Sequence, residues 1–430
     1  MQPREARDLL RRLFEAAIAA AHPSTCLPPA LPPPPARGRI LVLAAGKAAG
    51  AMAEAAENHY LDRLKLAPDR LHGLAVTRHG YGRPTRVIEM IEAGHPVPDA
   101  AGLAATGRVL AIAEGATADD LVLVLYSGGA SANWIAPAAA VSLADKRALT
   151  RDLLASGATI GEINTVRKHL SRIKGGRLAA VAAPARLLTL AISDVPGDDP
   201  SAIGSGPTVP DPTTLADARA ILARRAITPP AAIAAALSDP MNETPKPGAA
   251  VFARTEFRIV ARPADALAAA AKVANEAGIE PILVGADLEG EAREVAAEHA
   301  ARARKLAAQR RRALLLSGGE LTVTIRGKGR GGPNQEYALA LALALAEARG
   351  IAAIAGDTDG TDGGAGKPDD PAGAFIDETT LSRARKLGLD PARFLADNDS
   401  TGLFERLGDL VSPGPTCTNV NDLRAVLVDT

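Results

Sequence analysis

The residues best able to do chemistry in this 430-residue chain stand in short glycine-rich runs. Lys47 sits in Leu43-Ala44-Ala45-Gly46-Lys47-Ala48-Ala49-Gly50, between an apolar run and a helical pattern. A helix start offers unpaired N–H groups and a partial positive charge, and a lysine adds a full one, so an anion is favoured there. A packing turn with an exposed lysine would read the same. The run is neither G-x-x-x-x-G-K-S/T nor G-x-G-x-x-G, so it is not a Walker loop or a dinucleotide fingerprint. Ser127-Gly128-Gly129-Ala130-Ser131 follows a second apolar run, and Ser317-Gly318-Gly319-Glu320 repeats the phrase. Adjacent glycines let backbone amides approach a phosphate or carboxylate, and hydroxyls can donate to it. A tight strand-to-helix turn capped by serine is the bland alternative.

Four further segments carry charge. Arg167, Lys168, Arg172, Lys174 and Arg177 crowd eleven positions, which is either a solvated helix face or a phosphate-contacting one. The stretch from Ser193 to Thr208 places Asp194, Asp198 and Asp199 among glycines and hydroxyls, a composition that suits a hard cation carrying a phosphate ligand. Its length favours a functional loop over a structural one. In the second half, Gly327 to Glu336 includes Lys328, Arg330, Asn334 and Glu336. Gly356 to Gly366 then carries Asp357, Asp359 and Asp362 around Thr358 and Thr361. Without the terminal bidentate Glu this is no calcium loop; magnesium or a polyhydroxy substrate fits it better. The seven histidines are scattered singly and give no zinc pattern.

Composition limits what these loops can serve. Basic and acidic residues number 49 each, so no global field draws nucleic acid or anionic lipid. Recognition of anions must be local. Only 11 of the basic residues are lysine, which makes a lysine in a glycine loop conspicuous. Cys26 and Cys417 lie near opposite ends without metal spacing, as a reducing compartment would have. No apolar run approaches the roughly 20 residues of a membrane span, and no signal pattern opens the chain. The expectation is a cytoplasmic protein with an aliphatic core, since aromatics are only 3%.

The elements that must position the loops are legible from periodicity. A helix is expected over 4–21, then strands at 40–43, 71–76, 121–126 and 186–192, with helices near 100–113, 142–156 and 160–172. Such alternation implies parallel βαβ units. A Pro-rich stretch, 239–247, marks the best boundary. Beyond it strands are expected at 256–261, 279–284, 313–316, 321–325 and 351–355, with helices at 264–277, 291–308 and 334–348. The expected division is therefore 1–240 and 248–430.

Taken in order, the loops resemble one family: the glycerate 2-kinases with a C-terminal MOFRL domain, sometimes labelled hydroxypyruvate reductases. The resemblance spans nearly the whole chain. It is carried by Gly46-Lys47-Ala48-Ala49, 127–131, 164–176, 193–198, 204–208, 331–336, 357–363 and Thr418-Asn419-Val420-Asn421-Asp422. It implies an α/β fold: a larger Rossmann-like N-terminal domain, a smaller MOFRL domain, and an active site in the cleft between them. It also implies phosphorylation of the 2-hydroxyl of D-glycerate by ATP with Mg2+, giving 2-phosphoglycerate and ADP. No nucleic-acid or membrane partner is implied, and a homodimer is admitted. Lys47 matches the family's catalytic lysine. Many relatives place a catalytic arginine just before Asn-Gln-Glu, where this chain has Pro333, and Arg330 could supply that charge instead. Cys417 stands where a glycine is common.

The roles expected on this basis are catalytic for Lys47, Arg330 and Asp194, and metal-holding for Asp194, Asp198 or Asp357. Substrate or nucleotide binding falls to Gly46, Ser127, Gly128, Gly129, Ser131, Lys168, Lys174, Ser317, Gly318, Glu320, Asn334, Glu336, Asp359, Thr361 and Asp362. Two other functions compete: an NAD(P)H-dependent hydroxypyruvate reductase, and a non-catalytic sugar-phosphate-binding module. The turn after the strand expected at 40–43 lacks G-x-G-x-x-G, which argues against the reductase.

Overall fold

A computed structural model describes residues 1–346, 348–364, 367 and 369–429. Six strands build the first sheet: β1 (Ile40–Ala45), β2 (Leu71–Arg78), β3 (Ile88–Ala93), β4 (Leu121–Tyr126), β5 (Arg186–Ile192) and β6 (Thr255–Ala261). Their order is β3-β2-β1-β4-β5-β6, and the β1–β2, β2–β3, β1–β4 and β4–β5 pairs are parallel. β1 and β4 read ILVLAA and LVLVLY and are buried throughout, as central parallel strands covered on both faces must be. The aliphatic side chains of these strands pack with the helices Ala100–Glu114 and Arg177–Ala182. The chain leaves β1 toward β2 on one side and returns to β4 on the other. This reversal opens a crevice outside the carboxyl ends of β1 and β4, where doubly wound sheets take ligands.

The second sheet holds β7 (Glu280–Gly285), β8 (Ala313–Ser317), β9 (Ile351–Asp357), β10 (Gly373–Ile376), β11 (Leu410–Val411) and β12 (Asp422–Val428), in the order β11-β10-β9-β12-β8-β7. Only β7–β8 among its pairs is parallel; β12 runs antiparallel to both β8 and β9. The helices Ala292–Ala308 and Pro333–Leu345 cover it with Ala and Leu faces. No helix among the described residues is long and apolar enough to cross a membrane.

The compact units do not follow the division at 240 and 248. One comprises Met1–Thr25 with Ala261–Thr430; the other is Cys26–Val260. The helix Pro3–Ala21 buries Leu9, Leu10, Leu13 and Phe14 against the helix Pro263–Glu276, β9 and β12. Thr418 Oγ1 also donates to Ala21 O at 2.7 Å. At the other boundary, β6 adds itself to the first sheet beside β5. The strand expected at 321–325 is absent for a local reason. Thr322 makes one isolated bridge with Glu291, and the Glu291 carboxylate takes the Thr324 N–H, so no ladder forms. Glu347, in the helix expected at 334–348, lies outside the described residues, as do Ala365 and Gly366 of the 356–366 loop.

Candidate active site

Lys47 follows β1 and the 127–131 turn follows β4, so the two expected anion loops meet at the crevice of the first sheet. They are laced through their backbones. Lys47 N–H donates to Gly128 O at 2.9 Å, Ser127 N–H to Ala45 O at 3.1 Å, and Ala48 N–H to Ser127 Oγ at 2.9 Å. Thr77 Oγ1, at the end of β2, donates to Gly46 O at 3.1 Å. Ser127 is fully buried and its hydroxyl is spent on this lacing, so it shapes the site without facing a ligand. Gly129 has φ +86°, and a Cβ there would lie 3.0 Å from the His95 ring and 3.3 Å from Lys47 Cγ. The half-buried Lys47 side chain thus lies against the turn, beside His95.

The long loop after β5 reaches the same turn. Ser205 is buried with φ +62°, a conformation that costs a non-glycine residue energy and is retained where surroundings enforce it. Its hydroxyl lies 2.7 Å from Ser131 Oγ and donates to Asn164 Oδ1 at 3.4 Å. Lys174 Nζ donates to Ser131 O at 2.8 Å. Asp194 and Asp198 are half-buried in this loop, Asp198 with φ +56°.

The basic run sorts itself by neighbours. Lys168 is buried and pairs with Asp211 at 3.4 Å, and His169 meets Glu243 at 3.1 Å; both are structural contacts. Burial would raise the Glu243 carboxyl, yet Lys246, the Leu215 amide and His169 hold it down at about 2. Arg172 is exposed. Lys174 stays on the 131 turn, and burial, then Lys146 and Arg167, push its amine well below the usual range.

In the second sheet the loops are braced internally. Asp362 sits on the start of the helix Pro333–Leu345, accepting from Asn334 N–H at 2.9 Å and Gln335 N–H at 2.8 Å. A Cβ on Gly332 would fall 2.3 Å from the Asp362 backbone, so glycine is what admits this approach. Asn334 Nδ2 bridges Asp362 at 3.2 Å and Asp422 at 2.7 Å. Burial raises Asp362 to about 7 against the pull of the Asn334 amide, with Asp422 adding to the rise; Asp422 is raised by burial as well. Arg424, fully buried, bonds Asp422 at 2.7 Å and the carbonyls of Gly318 at 2.5 Å and Gly319 at 3.1 Å. Gly318 and Gly319 are thereby held in place after the buried Ser317, while Glu320 is exposed.

Glu336 is buried and belongs to the scaffold. Its carboxylate takes Arg293 at 2.6 Å and Asn398 at 3.0 and 3.2 Å. Asp359 is likewise buried and holds the N–H and hydroxyl of Thr361 at 2.8 and 3.0 Å. Arg330 is exposed: its backbone is fixed by Asp399 and Thr401, and its guanidinium pairs with Glu405 at 3.0 Å on the surface.

Among the described residues, no three His, Cys, Asp or Glu side chains gather into a metal cage. A phosphate-borne Mg2+ needs only one or two protein carboxylates, the rest coming from phosphate and water. The half-buried Asp194 and Asp198 of one unit, and separately the half-buried Asp357 of the other, are carboxylates of that kind. Sequence reasoning passed over Arg424, which sits mid-strand without a motif, and Lys146, whose only signal was the scarcity of lysine. Asn164 and Ser205 lay in quoted motifs without a role.

Similarity to known proteins agrees with this architecture. The family model described as "Domain of unknown function (DUF4147)" matches residues 9–238, and the MOFRL family model matches 313–422. An Agrobacterium vitis protein provisionally named hydroxypyruvate reductase is 51% identical over 98% of this chain and 94% of its own. Glycerate 2-kinase of Pyrococcus horikoshii is 38% identical over 91% of this chain and 88% of its own. The crystal structure of glycerate kinase from Thermotoga maritima superposes with a TM-score of 0.87 at 36% identity, covering 99% of this chain and 100% of that one. The chain belongs to the glycerate 2-kinase family with a C-terminal MOFRL domain, a family of phosphotransferases.

Proposed function

We propose that this protein is a cytoplasmic glycerate 2-kinase that moves the γ-phosphoryl group of ATP to the 2-hydroxyl of D-glycerate. The observation that carries the reading is Lys47 held against the 127–131 turn at the carboxyl ends of β1 and β4, in a chain of this family. Phosphoryl transfer needs cations that neutralise the transferring group and an acceptor positioned in line. Lys47 supplies one such cation from a backbone fixed by three loop hydrogen bonds. The glycines of the turn let amides approach phosphate or carboxylate oxygens. Asp194 would orient the substrate hydroxyl or, with Asp198, hold Mg2+, and Asp357 is the alternative carboxylate; that ion, when bound, would neutralise phosphate charge. Arg330 would supply the second cation in place of the arginine missing at Pro333.

The name of the Agrobacterium relative favours a second reading, reduction of hydroxypyruvate. Against it stands the turn after β1, which lacks the glycine spacing that seats a pyrophosphate. Incubation with D-glycerate, Mg2+ and ATP, followed by enolase, tests the proposal. Direct conversion by enolase identifies 2-phosphoglycerate, and a need for added mutase identifies the 3-isomer. Rapid NADH oxidation with hydroxypyruvate at catalytic enzyme would instead establish the reductase. Binding of glycerate without ATP turnover would leave a sugar-phosphate-binding module.

A further inference from the structure

Three cations near the end of the helix Ile160–His169 have no acidic partner among the described residues. Lys146 is buried and its Nζ donates to Leu170 O at 2.8 Å. Arg167 stands half-buried in the last turn of that helix. Lys174, four residues beyond the helix cap, is 2% exposed and bonds only Ser131 O through its amine. The nearby carboxylates serve other residues: Asp211 takes Lys168, Thr213 and Thr244, and Glu243 takes His169 and Lys246. Arg177 lies in the field of that same Asp211–Glu243 pair. What Lys146 and Lys174 feel is burial first and then like charge, Arg167 acting on both.

The bland account is that two ammonium groups satisfy carbonyls, one of them at a helix end, where the dipole favours a cation. It explains two hydrogen bonds. It leaves Arg167 without a side-chain hydrogen bond among the described residues, beside two buried amines that shed charge when alone and that an arriving anion would favour in the protonated form. The hydroxyls of Ser131 and Ser205, 2.7 Å apart, now bond each other and Asn164, and would donate to an oxyanion by turning from these partners. Lys174 and Lys47 moreover contact one turn, Lys174 at Ser131 O and Lys47 at Gly128 O.

We propose that Lys146, Arg167 and Lys174, with the hydroxyls of Ser131 and Ser205, form an oxyanion site that receives the carboxylate or a phosphate group of the reacting molecules. Which molecules react rests on the glycerate kinase reading; the anion site does not.

The test is thermal unfolding of the full chain, alone and titrated with inorganic phosphate, D-glycerate or Mg-ATP. Wild type, Lys174→Met, Arg167→Met and the control Lys328→Met are compared. The expected result is a wild-type midpoint that rises with at least one anion. In Lys174→Met and Arg167→Met the ligand-free midpoint should be equal or higher, and half-saturation should need at least tenfold more of that anion. A loss specific to D-glycerate assigns the carboxylate; a loss specific to Mg-ATP assigns a phosphate. Lys328→Met should follow wild type. Should Lys174→Met fold poorly, Arg167→Met decides, because the Arg167 side chain makes no hydrogen bond among the described residues. Unchanged half-saturation in both variants, or no anion response in wild type, overturns the proposal. A protein that phosphorylates no glycerate yet shows Lys174-dependent protection by phosphate would sink the kinase reading and keep the site.

Discussion

Gly129 leaves room for Lys47: a Cβ on that glycine would come within 3.3 Å of Lys47 Cγ and 3.0 Å of the His95 ring. Lys47 is therefore positioned by what the facing turn lacks as well as by its own backbone. Lys47→Ala should fold normally and lose roughly 10²–10³ in kcat, the usual scale for one preorganised charge-stabilising group. Steady-state kinetics with matched circular dichroism checks this; near-wild-type turnover would remove Lys47 from the chemistry.

Gly129→Ala asks the same question from the other side. With φ at +86° the new methyl is strained and crowds Lys47. We expect activity at least tenfold lower with stability lower by about 1–2 kcal/mol. Unaltered kcat in this variant would mean that the turn does not set the lysine.

Glu336 should behave as scaffold. Removing a buried partner from an ion pair typically costs about 3–5 kcal/mol, so Glu336→Ala should unfold at much lower urea while its folded fraction keeps KM for both substrates within about twofold. A large KM change at wild-type stability would return Glu336 to the binding site.

Arg330 and Lys328 share one exposed loop, and the Arg330–Glu405 pair, exposed on both sides, adds little to folding. If Arg330 replaces the arginine missing at Pro333, Arg330→Ala lowers kcat by tenfold or more while Lys328→Ala does not. Equal mild effects in the two would refute the compensation.

Asp362 makes stability fall with rising pH. Its folded carboxyl is raised to about 7, above the ~4 of an unfolded aspartate. Between those values the folded chain therefore holds the extra proton. Its contribution is lost as pH climbs from about 4 through 7, with a slope of at most about 1.4 kcal/mol per pH unit. Urea unfolding at pH 5.5 and 7.5 should show Asp362→Asn losing part of the wild-type difference; an identical difference would contradict the shift.

Much of this was readable in advance because the signals were local. β1, β4 and β5 are continuous apolar runs, and the loops after them stand out by glycine and charge. β3, reading IEMIEA, was missed because its alternating polar residues lie at a sheet edge. β10 and β12 escaped because Gly373–Ile376 is short and Asp422–Val428 carries a buried Asp and Arg that read as surface. The site was legible in its loops but not in its division of labour. Whether Lys168 meets Asp211 or a ligand, or Glu336 meets Arg293, depends on contacts 43 residues apart in each case. No spacing rule encodes such contacts.

The helix Pro3–Ala21 has a consequence for the order in which the molecule can be made. It is translated hundreds of residues before β9 and β12, on which it packs. The unit 26–260 can close first, as an insertion, while Leu9, Leu10, Leu13 and Phe14 wait uncovered. Synthesis of this protein thus carries a long interval in which this helix is an exposed apolar stripe, open to chaperones or to a neighbouring nascent chain.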